Sequence, residues 1–167
     1  MSWTDLVQTA YVDDDITNFF LKKLKYYSAH KKFYSKSNVM YGEYFGTINL
    51  LPLMDNEFFT YAERIKNKVE EVVSYSLLYN YIHMLDYTKG GKMGLHNHIH
   101  AEDYSSLLYL NDSNDGATFF IVDGKRQYVS PEKNKLLMYP SHVVHGAEES
   151  TSKKVLVNGY KFKYNFI

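Results

Sequence analysis

Gly90-Gly91-Lys92-Met93-Gly94-Leu95-His96-Asn97-His98 is the stretch on which the fold and chemistry of this chain turn. A glycine pair interrupts the chain at its start, strand-compatible residues follow, and two imidazoles close it at positions i and i+2. In a strand that spacing puts both rings on one face, so they converge on a point, which adjacent residues could not do. A third imidazole, His145, ends a later stretch, Tyr139-Pro140-Ser141-His142-Val143-Val144-His145. If a sheet lays the two strands side by side, three ring nitrogens cap one face of an octahedral ion and leave positions open for a substrate and O2. Such a site is catalytic rather than structural, because a closed structural zinc site normally takes four protein ligands. His96, His98 and His145 are therefore the candidate metal ligands and catalytic residues. His30, His83 and His100 read as surface or hydrogen-bonded histidines, and His142 as a rim residue.

On either side the residues read as strands. Eight short β-rich runs span Tyr79–Tyr87, Met93–His98, Ser105–Leu110, Ala117–Val122, Lys125–Val129, Leu136–Tyr139, Val143–Ala147 and Val155–Phe162. Gly90-Gly91, the residues from Asn111 to Gly116, and the hairpin pair Asp123-Gly124 separate them. This spacing predicts a double-sheet jelly roll or barrel. Upstream the period is helical. Ile16, Phe20, Leu24 and Tyr27 line one face of a helix that Asp15 opens, and Phe58, Ala62, Ile65, Val69 and Val72 line another behind an Asp55 or Asn56 cap. The fold class expected is mainly β with N-terminal helices (α+β).

Composition narrows the classes. A chain of 167 residues, 45 % hydrophobic, makes a single domain whose core needs no disulfides. Lys+Arg and Asp+Glu number 19 each, so the chain carries no strong nucleic-acid signal and no general attraction for an acidic membrane. The absence of cysteine removes disulfides, thiolate zinc sites, iron–sulfur ligation and cysteine nucleophiles together, and any metal must take nitrogen or oxygen ligands. The N-terminus lacks the basic and apolar regions of a secretory signal, and no apolar run approaches the roughly 18 residues of a membrane span. A soluble, cytoplasmic protein is expected. Its Tyr, Asn and Lys richness suits an AT-rich genome, such as that of a virus in an infected host cell.

Several motifs occur in a telling order. They are Tyr87-Thr88-Lys89-Gly90, His96-Asn97-His98, Tyr109-Leu110-Asn111-Asp112, Asp115-Gly116-Ala117-Thr118-Phe119-Phe120, and Val129-Ser130-Pro131 followed by Pro140-Ser141 and His145. Together they resemble the core of the Fe(II)- and 2-oxoglutarate-dependent oxygenases, including prolyl 4-hydroxylase-like and phage-type members. In that family a Tyr-x-x-Gly turn precedes a His-x-Asp pair, a Tyr-Leu-Asn strand and a Gly-Gly-x-x-Phe segment. The resemblance implies a double-stranded β-helix core over 79–167, with 1–78 as a helical N-terminal support within one domain, 1–167. It also implies Fe(II) as cofactor, 2-oxoglutarate as co-substrate, O2, and hydroxylation of a peptide or small molecule. Lys154 stands approximately where the family has the Arg that anchors the keto-acid, Tyr109 matches a strand tyrosine that assists it, and Tyr87 is a further candidate there.

Two departures carry chemistry. His98 occupies the position of the family's Asp ligand, so the triad is all-histidine unless Glu102 or Asp103 reaches in. Lys154 replaces the bidentate fork of Arg with a single ammonium. Gly90, His96-x-His98, Glu102 and Pro140 to His145 also match cupin spacing, which would make Glu102 a fourth ligand. A non-catalytic jelly roll that binds a partner or builds an assembly is the alternative from another class. Oligomeric state is left open by the sequence.

Overall fold

Side chains along the strands alternate between two apolar environments. Leu107 and Tyr109, Leu137 and Tyr139, and Val155 and Val157 share one buried cluster with Leu85, Phe120 and Val129. Their sequence neighbours Leu108, Leu110, Leu136, Met138 and Leu156 join a second cluster with Phe20, Leu24, Phe58 and Ile65. Strands with a core on both faces lose the polar half of the usual alternation, and Leu136-Leu137-Met138-Tyr139 is such a run.

The computed structural model, which describes residues 2–39 and 42–164, turns this pattern into three helices and eleven strands. In chain order they are α1 (Trp3–Leu6), β1 (Gln8–Tyr11), α2 (Asp14–Ser28), β2 (Tyr34–Val39), β3 (Gly42–Thr47) and α3 (Asn56–Val73). There follow β4 (Leu77–Asp86), β5 (Gly91–His96), β6 (Tyr104–Tyr109), β7 (Thr118–Val122), β8 (Lys125–Val129), β9 (Lys135–Pro140), β10 (His145–Ser150) and β11 (Lys154–Phe162). The strand order is β1-β9-β6-β11-β4-β3-β5-β10-β7-β8, with β2 paired outside on β3. β3 is the corner of the curled sheet, pairing Phe45 with Asp86 on β4 and Gly42 with Met93 on β5. The wall from β1 to β4 therefore faces the wall from β5 to β8 across the first cluster. α2 and α3 cover the outer face of the longer wall through the second. This is a double-stranded β-helix, as expected.

Local chemistry explains the helices. The Asp55 carboxylate accepts the Phe58 backbone N–H at 2.8 Å and starts α3, which buries Phe58, Ala62, Ile65 and Val69. α2 buries Ile16, Phe20, Leu24 and Tyr27 together with Thr17 and Phe19. Its N-cap is Asp13 rather than Asp15, and no side-chain cap bond forms. Both carboxylates turn to Arg64 of α3, at 3.2 and 2.6 Å, and so tie the helices to each other.

The region before Leu77 differs from an all-helical support, because β1, β2 and β3 lie within it. Their register comes from the edges they join. Gln8 to Tyr11 pair with Met138 to Lys135 of β9, and such backbone pairing demands little of a four-residue strand's side chains. The expected ends of the domain, at residues 1 and 165–167, lie outside the described residues. Among the described residues no helix is long and apolar enough to cross a membrane.

Candidate metal centre

Strand pairing brings the three predicted ligands together. His96 ends β5 and His145 begins β10, and the two are direct partners in the antiparallel register. His98 lies two residues beyond β5, where its backbone N–H donates to the Ser141 carbonyl at 2.9 Å in the loop leading to β10. The ring centroids of His96 and His145 are 4.3 Å apart, and His98 stands 5.0 Å from each. One ligand atom from each ring falls within 4.8 Å of the other two.

The hydrogen bonds at Nδ1 settle which nitrogen carries the proton. His96 Nδ1 lies 2.8 Å from the Gly94 carbonyl and His145 Nδ1 2.9 Å from the Val143 carbonyl. A carbonyl only accepts, so each Nδ1 donates and each Nε2 keeps its lone pair. His98 Nδ1 faces the Glu102 carboxylate at 3.0 Å and is fixed in the same sense. The Nε2 atoms of His98 and His145 then sit 3.2 Å apart. Two ring nitrogens that close are held by a cation between them, either a shared proton or a metal ion. The spacing suits two ligands of one ion, since a metal–nitrogen bond of about 2.1 Å sets neighbouring nitrogens roughly 3 Å apart. Burial pushes His145 down to about 3 and also lowers His96, so both rings are neutral donors at neutral pH. Three imidazoles with an open side fit a divalent first-row ion such as iron.

A cavity of about 100 Å³ opens beside the triad, walled by Leu85, Met93, Leu107, Val155 and Val157. Lys153, not Lys154, enters it. Lys153 is 1 % exposed, continues the inward face of Val155 and Val157, and donates from Nζ to the Gly116 carbonyl at 2.7 Å. Lys154 alternates to the other face, as Leu156 does, and its backbone N–H donates to Asn111 Oδ1 at 2.9 Å. Tyr87 lines the cavity, and the Lys153 ammonium sits 4.4 Å from its ring centroid. Burial lowers the pKa of Lys153 to about 7.

Tyr109 is fully buried behind the cavity wall. Its hydroxyl donates to Thr118 Oγ1 at 2.5 Å, and it is Thr118 that lines the cavity. His83 also lines it, held neutral by burial at about 4. Sequence reading placed His83 at the surface or in an ordinary hydrogen bond. The signal was its phase, because Tyr81, His83, Leu85 and Tyr87 alternate on one face of the strand. His30, by contrast, is exposed with Nδ1 on the Tyr26 carbonyl at 2.7 Å, and His100 and His142 are exposed.

Neither nearby carboxylate joins the convergent set. Asp103 Oδ2 accepts the Phe162 backbone N–H at 2.8 Å, which anchors the end of β11. Glu102 stands behind His98 at Nδ1, on the side away from the Nε2 cluster, so the four-ligand cupin arrangement does not form.

No protein-family model matches the chain, and no curated protein matches it in sequence. Solved structures do match in three dimensions. A Pseudomonas putida prolyl-4-hydroxylase superposes with a TM-score of 0.73 at 14 % identity, over 96 % of this chain and 93 % of that one. The non-heme α-ketoglutarate-dependent epimerase SnoN from nogalamycin biosynthesis gives 0.73 at 14 %, over 92 % and 76 %. A Trichoplax adhaerens prolyl hydroxylase, in complex with a hypoxia-inducible-factor degradation-domain peptide, gives 0.72 at 12 %, over 94 % and 84 %. Identities this low speak to fold, and the fold of this chain is the double-stranded β-helix of the 2-oxoglutarate- and iron-dependent oxygenases.

Proposed function

We propose that this chain is an Fe(II)- and 2-oxoglutarate-dependent dioxygenase that hydroxylates a peptide or small-molecule substrate. The observation that carries the reading is the convergence of His96, His98 and His145, with Nδ1 of each engaged by an acceptor, beside a cavity that holds a buried lysine. When bound, iron would supply activation of O2, the oxidant, one of whose oxygen atoms would end in the hydroxylated substrate and the other in the succinate formed from the keto-acid with loss of CO2. The chain's own residues do the rest. His96, His98 and His145 hold the ion through Nε2. Lys153 offers ammonium protons beyond the one given to Gly116, and these pair with the keto-acid's remote carboxylate. Thr118, backed by Tyr109, supplies a hydroxyl beside that pair, and Tyr87 stacks beneath the ammonium. Leu85, Leu107, Val155 and Val157 exclude water and strengthen the pairing.

Anaerobic addition of Fe(II) and then 2-oxoglutarate tests this. The expected result is a metal-to-ligand charge-transfer band that needs both components, followed on admission of O2 by succinate release. Iron binding without a keto-acid-dependent band would exclude the oxygenase reading.

A further inference from the structure

An all-histidine face lacks the negative charge that a carboxylate ligand would bring. The chain holds one a single hydrogen bond further out. The His98 carbonyl accepts the backbone N–H groups of Ala101 and Glu102 at 2.9 and 3.1 Å, closing one helical turn. That turn carries the Glu102 side chain, four residues on, back beneath the His98 ring, where Oε1 lies 3.0 Å from Nδ1. The Tyr81 hydroxyl donates to the same oxygen at 2.5 Å. The Glu102 side chain is 0 % exposed, so its charge is little screened by solvent. Space for it depends on Gly159 of β11. A Cβ there would collide with both Glu102 Oε2 and the Tyr81 ring.

We propose that Glu102 is the positioning residue that completes this metal centre, supplying through His98 Nδ1 the negative charge that the family-like Asp ligand would have supplied directly. The inference rests on the metal-binding reading above. A carboxylate hydrogen-bonded to Nδ1 fixes the ring's tautomer and aim, and it makes Nε2 a stronger donor to a cation. Tyr81 holds the carboxylate in place without sharing its charge. The arrangement differs from direct ligation in its prediction for variants, because the effect of Glu102 must pass through an imidazole at position 98.

Calorimetric titration of the full chain with Co(II), in the absence of O2, tests it. Glu102→Gln keeps the shape and the acceptor oxygen while removing the charge. Its Co(II) affinity should fall about 10- to 100-fold, the usual size of such outer contacts, with the melting temperature of the metal-free protein not lowered. His98→Asp restores an anionic ligand and removes Nδ1. In that background Glu102→Gln should cost no affinity, whereas a generally structural role would cost the same in both. Unchanged affinity in the Glu102→Gln protein, or equal losses in the two backgrounds, would overturn the proposal and leave the metal centre standing. A parent chain that binds no Co(II) would overturn both.

Discussion

Lys153 and Lys154 are adjacent, chemically identical and opposite in consequence. Val155 and Val157 point inward, so position 153 shares their face and position 154 does not. The alternation is readable from the sequence, but a motif offset counted from the distal histidine points to Lys154, while it is Lys153 that enters the cavity. Lys153→Ala should therefore raise the 2-oxoglutarate concentration needed for half-maximal turnover by tenfold or more, with iron binding retained, and Lys154→Ala should change it less than twofold. Steady-state kinetics at saturating Fe(II) separates them. The pKa of about 7 on Lys153 adds a pH signature, since burial disfavours the charged form in the free protein. As pH rises through 7 the ammonium is lost and keto-acid affinity should weaken, by up to about tenfold per unit. Lys153→Arg stays charged and should flatten that profile. The three converging imidazoles behave differently. His96→Ala or His145→Ala should abolish Co(II) binding seen by calorimetry, because two imidazoles leave most of the ion's coordination positions without a protein ligand.

At the scale of elements, pattern sufficed where a strand has a continuous apolar face and failed where it does not. β4, β6, β7, β9 and β11 carry the Leu, Val, Tyr and Phe that mark them as strands, and each lies within a few residues of the sequence expectation at both ends. β2, Tyr-Ser-Lys-Ser-Asn-Val, gives Tyr34 to the core but carries no apolar alternation, and its register comes from its ladder with β3. The Glu102 contact was equally hidden, because it depends on the turn at 98–102, which no local signal announces. The 113–116 loop shows a further element-scale dependence. Asp115 accepts hydrogen bonds from the hydroxyls of Ser113, Ser150 and Ser152, at 2.9, 2.6 and 3.2 Å, and clamps the loop to the turn that precedes Lys153. Gly116 sits in this clamp at φ +75°, and a Cβ there would stand 2.5 Å from Ser150 Cβ. Gly116→Ala should cost about 1–3 kcal/mol in urea unfolding, from backbone strain at that dihedral. It should also raise the keto-acid requirement, because the Gly116 carbonyl that steadies Lys153 moves with the loop.

For the whole molecule, the core and the site are the same interior. The cluster between the two walls supplies the apolar lining, and burying neutral histidines within it makes stability depend on protons and metal together. His145 and His83 are held at about 3 and about 4 in the folded protein, against about 6.5 when the chain is unfolded. Their depressed values mean that the unfolded chain binds more protons below pH 6.5. Their contribution is thus complete above that pH and is lost progressively as pH falls toward 4 and then 3. The metal-free protein should melt at steadily lower temperature over that window, and His83→Phe should shallow the decline. A divalent ion that binds only the folded state acts in the opposite direction. At a free concentration a hundredfold above its dissociation constant it adds about 2.7 kcal/mol, which for a domain of this size raises the melting temperature by roughly 5–11 °C. Calorimetric melts of the parent with and without Co(II) at pH 7.5 should show that rise, EDTA should remove it, and His96→Ala should not show it. A rise that persists in His96→Ala would mean that the ion binds at carboxylates elsewhere on the surface, and not at the three imidazoles.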